Sequence, residues 1–316
     1  MLAAQSSTTA VARPRIARAS ASSSTRRPVV VAGASSSSAS ASDFSRRSAL
    51  LTPALVSLLS LPNAASARDG PSVLVVGSTG ATGRLLVEEL AKSGKTGRLV
   101  AGARSAEKAE SLGLGASADE LLGGVDVTKS PSELAETFKG FDIVVVATGF
   151  VPGNPFKMNE AAHAVDNLGV VHVTDAAKSA GVKRVVLISS ILTNGPGMGA
   201  EDTPGYKITN AFGRVLEEKL VGENYLRASG IPWTIVRPAG LKNDEPRAPL
   251  VLTDGDVMTS GEISRALVAK VMAYSAFDPS CEGRIIEIAE SGSFTGGDPA
   301  AGKKFALDSD PAGWFA

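Results

Sequence analysis

The chain has 316 residues, of which 43% are hydrophobic and 5% aromatic, with 32 basic and 32 acidic residues. This composition is typical of a globular α/β protein, and the length allows one large domain or two modest ones. Residues 1–67 carry seven arginines and one acid, which leaves 25 basic and 31 acidic residues for the rest. A mildly acidic body argues against nucleic-acid binding. The single cysteine, Cys281, excludes an intrachain disulfide and a cysteine-cluster metal site, and we predict no bound metal.

The first 67 residues have the composition of a targeting segment. Residues 1–45 contain thirteen serines and a single acid, which is typical of a transit peptide. A pair of arginines then precedes the uncharged run 48–66, which is too short for a comfortable membrane span and leads into an Ala-Ser-Ala cleavage pattern. This order resembles bipartite precursors that enter a chloroplast and then cross the thylakoid membrane. We predict a cleaved leader over 1–67 and a chloroplast protein, with the thylakoid lumen favoured over the stroma and a mitochondrial address as a weaker alternative.

From Pro71 onward, short apolar runs alternate with helical segments. Strands are predicted at 72–76, 98–103, 121–125, 141–147, 183–189, 233–237 and 283–288. Helices are predicted at 81–93, 105–112, 131–139, 157–180, 210–229 and 261–274. This alternation implies right-handed βαβ units and an α/β fold with a doubly wound parallel sheet, the Rossmann fold. We expect a single domain over 71–290 with a small C-terminal elaboration, a loosely ordered tail over 291–316, and no transmembrane span in the mature chain.

A glycine-rich turn separates the first predicted strand from the first predicted helix. Its residues are Gly77, Ser78, Thr79, Gly80, Ala81, Thr82 and Gly83. Glycine lets the backbone approach a ligand closely, and the first helical N–H groups and the helix dipole favour phosphate. A tight turn without a ligand is the alternative interpretation. The flanking strand and amphipathic helix favour a site for a dinucleotide pyrophosphate.

The end of the second predicted strand indicates which dinucleotide binds. An NAD-specific site places an acidic residue there, on the ribose 2′-hydroxyl. This chain has Arg104 instead, with Lys108 one turn into the next helix. Arginine pairs with a 2′-phosphate and offers no acceptor to a hydroxyl. We therefore predict NADP, bound as NADPH, in preference to NAD, with a solvated loop arginine as the alternative.

Several further segments occur in an order that resembles the atypical short-chain dehydrogenases/reductases, in particular their NmrA-like plastid NAD(P)-binding group. The resemblance covers about residues 72–290. Its segments are Gly77 to Gly83, Arg104, Asp126 to Thr128, Asp142 to Thr148, Ala176 to Arg184, Ser189-Ser190, Tyr225 to Gly230 and Thr234 to Leu241.

The resemblance also implies positions for the rest of the cofactor. Asp126 and Val127 would flank the adenine, although Asp126 can equally start a turn before the next helix. Ala147, Thr148 and Gly149 would follow the ribose and the nicotinamide side. The nicotinamide end would be lined by Pro238, Ala239 and Gly240.

This sequence departs from the catalytic residues that the resemblance implies. Short-chain dehydrogenases use a serine together with a tyrosine and a lysine in the spacing Y-x-x-x-K, in which the lysine lowers the tyrosine pKa. Ser189 and Ser190 occupy the serine region and Lys219 the lysine position, but Val215 stands where the tyrosine belongs. Tyr206 is the nearest upstream tyrosine, and we expect it in a loop from which it could swing into the site as a candidate catalytic residue. Lys219 could hold the nicotinamide ribose, or it could belong to a solvated helix patch.

Two functions follow from these residues. The first is an oxidoreductase, an NADPH-dependent reductase of unknown small-molecule substrate with a site that lacks the tyrosine. The second is a catalytically silent module that senses NADP(H) or acts as a scaffold, peripherally associated with a thylakoid complex. Epimerisation of a nucleotide sugar is a weaker third interpretation, since that activity usually keeps Y-x-x-x-K. The residues favour the enzyme slightly.

Overall fold

A nine-stranded, mostly parallel sheet organises residues 69–315, the part of the chain that the computed structural model describes. The strands of the described part are β1 (Ser72–Val76), β2 (Arg98–Gly102), β3 (Glu120–Leu122), β4 (Ile143–Val146), β5 (Arg184–Ile188), β6 (Trp233–Pro238), β7 (Gly240–Lys242), β8 (Leu250–Asp254), β9 (Glu262–Ser264), β10 (Arg284–Glu290) and β11 (Lys303–Phe305). The large sheet has the order β11-β8-β10-β6-β5-β4-β1-β2-β3, and β7 pairs with β9 separately. The predicted leader over 1–67 lies outside the described residues.

Helices cover both faces of this sheet. They are α1 (Ala81–Ser93), α2 (Ala106–Ser111), α3 (Pro131–Phe138), α4 (Met158–Ala162), α5 (Gly169–Ala180), α6 (Pro204–Asn210), α7 (Val215–Ala228) and α8 (Arg265–Ser275). None of these helices in residues 69–315 is long and apolar enough to cross a membrane.

The sheet is doubly wound about its first strand. β1 pairs in parallel with both β2 and β4, so the strand order reverses beside it. β4, β5, β6 and β10 continue in parallel, and β8 adds an antiparallel strand to β10. The predicted Rossmann fold is confirmed. Ligands of such sheets bind at the carboxyl ends of the strands next to the reversal, which locates the candidate site.

Successive side chains of β1 point to opposite faces of the sheet and pack into two apolar cores. Val73 and Val75 point to the face covered by α1 and α8, while Leu74 and Val76 point to the face covered by α3, α5 and α7. All four side chains are fully buried, as expected for a central strand covered on both faces. Cys281 is also fully buried, and burial raises the pKa of its thiol to about 12, so it is an inert packing residue.

Three predicted helices differ from the structure. The predicted helix 157–180 is interrupted by a π-helical turn at His163–Leu168, between α4 and α5. The predicted helix 210–229 is α7 alone, because Gly213 and Arg214 have φ values of +97° and +57° and separate it from α6. The first residues of the predicted helix 261–274 form β9, and α8 begins at Arg265.

The C-terminal segment is more ordered than the expected loose tail over 291–316. β11 pairs with β8, and the rings of Trp314 and Phe315 are buried in the core under α8. The Trp314 indole donates to the Ser309 hydroxyl at 2.8 Å, and the Lys270 ammonium lies over its ring. The Gly, Pro and Asp content of the segment predicted a loose tail, but the burial of Trp314 and Phe315 stabilises its ordered structure.

Candidate active site

A cavity of about 1010 Å³ opens at the carboxyl ends of the central strands. The segments that directly follow β1, β4, β5 and β6 form much of its wall, and residues from α6, α7 and the region after β8 enclose it. Strands of a parallel sheet all end at the same edge, which brings segments distant in sequence to one place. This cavity is the candidate active site.

The turn between β1 and α1 is shaped to let a phosphate approach the backbone. Gly77 has a φ of +85°, and a Cβ placed on Gly83 would lie 2.2 Å from the Gly77 carbonyl oxygen. Gly77 and Ser78 donate their N–H groups to the Gly102 oxygen, each at 3.1 Å, which fixes the turn to the end of β2. α1 follows Gly80 with no side-chain cap and no acidic residue in its first turn. The N–H groups of that turn are therefore open to an anion, and the turn fits a dinucleotide diphosphate.

Within the predicted turn, Gly80, Ala81 and Thr82 line the cavity directly. The Ser78 hydroxyl is buried without a hydrogen-bond partner among the described residues. A buried polar group without a partner calls for an explanation, and a turn that closes around a bound diphosphate would provide one.

The predicted 2′-phosphate site lies just past the end of β2, outside the cavity. Arg104 and Lys108 are both exposed, and the Arg104 side chain has no hydrogen bond or ion pair within residues 69–315. Ser105 caps α2 by accepting the Lys108 N–H at 3.0 Å. Arg104 is thus an uncommitted cation placed directly before a helix N-terminus, which suits a phosphate.

In the loop predicted to flank the adenine, Asp126 starts a turn and also keeps one carboxylate oxygen available to a ligand. Its Oδ1 accepts the Thr128 N–H at 3.0 Å and the Thr128 hydroxyl at 2.8 Å, which is the turn considered as an alternative. Its Oδ2 has no partner in the described part of the chain. Val127 is buried, and a Cβ on Gly169 would lie 2.8 Å from its Cγ2, so the loop is held closely against the start of α5.

The segments predicted to follow the nicotinamide half of the cofactor meet at the cavity. Ala147, Thr148 and Gly149 line it after β4, and Pro238, Ala239 and Gly240 line it after β6. The two sets of three residues are distant in sequence, since Ala147 and Pro238 are 91 positions apart. The parallel sheet brings them together, as the resemblance implies.

Lys219 lies in the cavity wall and forms a buried ion pair. Its Nζ donates to Asp166 Oδ1 at 2.8 Å, and the two side chains are 14% and 2% exposed. Asp166 Oδ2 accepts the Phe150 N–H at 3.1 Å, which ties the pair to the loop after Gly149. Asp166 comes from the π-helical turn, a distortion that is frequent at functional sites. This burial argues against the solvated-patch interpretation of Lys219.

The two candidate serines have different hydrogen-bonding states. The Ser189 hydroxyl donates to the carboxylate of Glu223, which is fully buried on α7. Its proton is therefore committed, and only its lone pairs can serve a ligand. Ser190 also lines the cavity, and its hydroxyl has no partner among the described residues. Ser190 is the hydroxyl that is free to donate.

A buried cluster of charges holds Glu223 behind the serines. The Arg237 Nη2 and Nε atoms contact the two Glu223 oxygens at 2.6 and 3.1 Å. Its Nη1 contacts Asp256 Oδ1 at 2.6 Å and Glu287 Oε1 at 3.4 Å. Burial opposes the charge of Arg237, but the contacts with Glu223 and Asp256 outweigh it and raise the Arg237 pKa.

Glu287 is the second fully buried acid of this cluster. Burial raises its pKa, while N–H groups donated by Met258, Val257 and Asp256, at 2.6 to 3.0 Å, favour the ionised form. The loop 256–258, which adjoins the cavity at Thr259, is thereby fixed to β10. The cluster thus orients Ser189 and one cavity loop together.

The structure does not bring Tyr206 into the cavity wall. Tyr206 lies in α6 rather than in the expected loop, and its side chain is buried. A Cβ on Gly195 would lie 2.4 Å from the Tyr206 ring, which shows how tightly the ring is packed. Burial raises the pKa of the Tyr206 phenol. Val215 does line the cavity, one helical turn before Lys219.

Comparison with known proteins agrees with this geometry. The sequence pattern of the NAD(P)H-binding family matches residues 77–279, from the glycine turn to the loop before β10. This chain belongs to that family. Its cofactor is therefore a nicotinamide dinucleotide.

Relatives of this family member include two chloroplastic proteins and a solved Rossmann-type structure. An uncharacterized chloroplastic protein of Arabidopsis thaliana is 40% identical over 222 residues, which covers 68% of this chain and 75% of the relative. The chloroplastic protein TIC 62 of Pisum sativum is 30% identical over 237 residues, which covers 69% of this chain and 42% of the relative. A Bacillus halodurans structure described as an NAD-dependent epimerase/dehydratase has a TM-score of 0.60 and 26% identity, covering 71% of this chain and 96% of that one.

Sequence reasoning missed the acids that surround the serines and the lysine. One signal was available, because Val215, Lys219 and Glu223 are spaced by four and share one face of α7. Following that face would have placed an acid near Ser189. Asp166 gave no comparable signal, since the π-helical turn that aims it at Lys219 does not follow from α-helical periodicity.

Proposed function

We propose that this protein is an NADPH-dependent reductase of a small molecule, with a site that works without the usual tyrosine. The observation that carries the proposal is a single cavity that joins an uncapped dinucleotide turn to Lys219 and the free Ser190 hydroxyl. When bound, the cofactor would supply the hydride, and the proton that completes the reduction would come from solvent. Ser190 donates a hydrogen bond to the substrate oxygen, and Lys219, held by Asp166, binds the hydroxyls of the nicotinamide ribose. Val215 gives an apolar wall beside the reacting atoms, which limits access of water.

A silent NADP(H)-sensing or scaffold module is the second candidate. The described residues that line the cavity include no tyrosine, histidine, aspartate or glutamate, so a conventional proton donor is missing from its wall. For both functions we infer a chloroplast location from the predicted leader and the chloroplastic relatives. Within the chloroplast we favour the thylakoid lumen over the stroma. The silent module would in addition associate peripherally with the thylakoid.

The two functions are separated by measuring binding and turnover on the same purified protein. NADPH binding is first measured by calorimetry, and NADPH absorbance is then followed with a panel of aldehydes, ketones, quinones and enones. Oxidation of NADPH that depends on one of these substrates supports the reductase. Tight binding with no oxidation across the panel supports the sensor, and no binding of NADPH or NADH contradicts both.

Replacing Arg104 by glutamate is expected to weaken NADPH binding about tenfold to a hundredfold and to leave NADH binding nearly unchanged. The reason is the loss of a charge-assisted contact to the 2′-phosphate, worth about 1.5–3 kcal/mol. Isothermal titration with both dinucleotides measures the difference. Arg98→Glu is the matched control, because Arg98 lies at the opposite end of the same strand and pairs with Glu120 there. An equal loss for NADPH and NADH would contradict the 2′-phosphate assignment.

The two serines are expected to respond differently to alanine substitution. Ser190→Ala should lower kcat/KM for the substrate that NADPH reduces by about tenfold or more, since it removes a hydrogen bond to developing charge. It should leave the free energy of unfolding unchanged. Ser189→Ala should lower the free energy of unfolding by about 1–3 kcal/mol, because a buried Glu223 oxygen loses a donor. Steady-state kinetics and urea unfolding measure the two effects. A kinetic defect confined to Ser189→Ala would reverse the assignment.

A further inference from the structure

Beyond the nicotinamide end, the cavity has a second polar wall that the reductase proposal does not use. Thr259, Ser260, Gly261, Arg265 and Thr295 form it. The Gly240 N–H donates to the Gly261 oxygen at 3.0 Å, so this wall adjoins the segment predicted to line the nicotinamide.

Arg265 is the charged group of this wall, and no described residue neutralises its charge. Its Nη1 donates to the amide oxygen of Asn243 at 2.7 Å, and no carboxylate of residues 69–315 forms an ion pair with it. Arg237 and Arg284, in the same half of the sheet, and Arg247, in the segment before β8, each pair with a carboxylate. Asn243 therefore orients the Arg265 guanidinium without cancelling its charge, and the remaining donors of the guanidinium are free.

The charge balance of the cavity adds a second argument. Among the described residues that line it, Lys219 and Arg265 are the charged ones. Lys219 is neutralised by the buried carboxylate of Asp166. Arg265 therefore gives the cavity its net positive charge, which favours an anionic ligand at this wall.

Arg265 is the first residue of α8, but it does not cap the helix. Ser264 already caps the helix by accepting the Ala266 N–H at 3.2 Å, and its hydroxyl donates to the Asp244 oxygen at 2.6 Å. The nearby Lys242 pairs with Glu262 and Glu290 and does not compete for an anion. Recognition at this wall falls to the Arg265 side chain, with hydroxyl groups beside it.

We propose that Arg265 binds an acidic group, a carboxylate or a phosphate, of the molecule that this protein reduces. The inference rests on the proposed reductase and narrows its substrate to compounds with a reducible group at one end and an anion at the other. A guanidinium presents paired N–H groups that match both acidic groups. The diphosphate of the cofactor is the other anion within this cavity, but the turn at Gly77–Gly83 already supplies its site.

The test compares two probes that differ in charge but hardly in shape, anthraquinone-2-carboxylate and anthraquinone-2-carboxamide. Their affinities are measured by fluorescence quenching on the full chain, both free and saturated with NADP⁺. We expect the carboxylate to bind at least tenfold more tightly than the carboxamide. Arg265→Gln should abolish this preference, while Arg247→Gln, which removes an exposed arginine of the same half, should retain it. NADPH affinity should be the same in all three proteins.

Three results would overturn the inference. The first is equal affinity for the two probes, which includes no measurable binding of either at millimolar concentration. The second is a carboxylate preference that survives Arg265→Gln. The third is a loss of NADPH affinity in Arg265→Gln, which would assign the arginine to the cofactor diphosphate. A wild-type protein that binds no NADPH contradicts the proposed reductase instead, and the probe preference on the free protein then still tests Arg265.

Discussion

Replacement of Arg237 by methionine is expected to lower the free energy of unfolding by about 3–5 kcal/mol. Arg237 is 1% exposed and contacts three carboxylates, and two of these, on Glu223 and Glu287, are fully buried. The substitution leaves both acids without their cation in a dry interior, and an uncompensated buried charge costs far more than the pair itself contributes. Methionine keeps much of the side-chain volume, so the loss reports on charge more than on packing.

Urea unfolding of the purified protein measures this change by linear extrapolation. Arg284→Met is the control, because Arg284 pairs with Asp254 at 3.0 Å in a partly exposed position on the same half of the sheet. Exposed pairs contribute about 0–1 kcal/mol, so the control should unfold almost as the parent does. If Arg237→Met costs less than about 1 kcal/mol, the cluster is not the rigid support for Ser189 that its geometry indicates.

Replacement of Gly83 by alanine is expected to weaken NADPH binding by about a hundredfold or more. The new Cβ would lie 2.2 Å from the Gly77 oxygen and 3.1 Å from the Ser78 Cα, and both are backbone atoms that cannot move aside cheaply. The turn must open, which displaces the N–H groups that face the diphosphate. Each hydrogen bond to a charged group contributes about 1.5–3 kcal/mol, so the loss of two of them weakens binding by about a hundredfold or more.

Calorimetric titration with NADPH measures this loss, and circular dichroism shows whether the variant remains folded. Gly153→Ala is the matched control, because no atom lies within 4 Å of a Cβ built there. NADPH affinity close to that of the parent in Gly83→Ala would mean that the cofactor does not sit on this turn. That outcome would remove the basis of the proposed reductase.

Arg237 and Gly83 also show two ways in which this fold supports a site. Gly83 acts by having no side chain, so that the Gly77 carbonyl and the start of α1 can approach each other. Arg237 acts through charge, by fixing Glu223 behind Ser189 on one side and the loop at Asp256 on the other. The difference between Ser189 and Ser190 follows from this charge cluster, because the Ser189 hydroxyl donates to Glu223 whereas the Ser190 hydroxyl faces the cavity.

The main strands and the glycine turn were predictable because their signals are local. Four consecutive apolar residues at 143–146 form a strand covered on both faces, and a glycine-rich segment between a strand and a helix turns tightly whatever surrounds it. The NAD(P)-type cofactor followed from the same segment, and the family match confirms it. The preference for NADP remains a prediction from Arg104.

The sequence by itself thus determined the doubly wound sheet and the NAD(P)-type cofactor, and it predicted the turn that would hold the dinucleotide, since all three depend on periodicity and on glycine within short windows. Only the tertiary structure decided that Tyr206 is buried away from the cavity, that Lys219 pairs with Asp166 and that Ser189 donates to Glu223. It also decided that Arg265 faces the cavity with no counterion among residues 69–315. Each of these depends on contacts between segments far apart in the chain. The four-residue spacing of Val215, Lys219 and Glu223 along α7 is a local signal for an acid near Ser189, but the distances and the burial are set by how the strands and helices pack together.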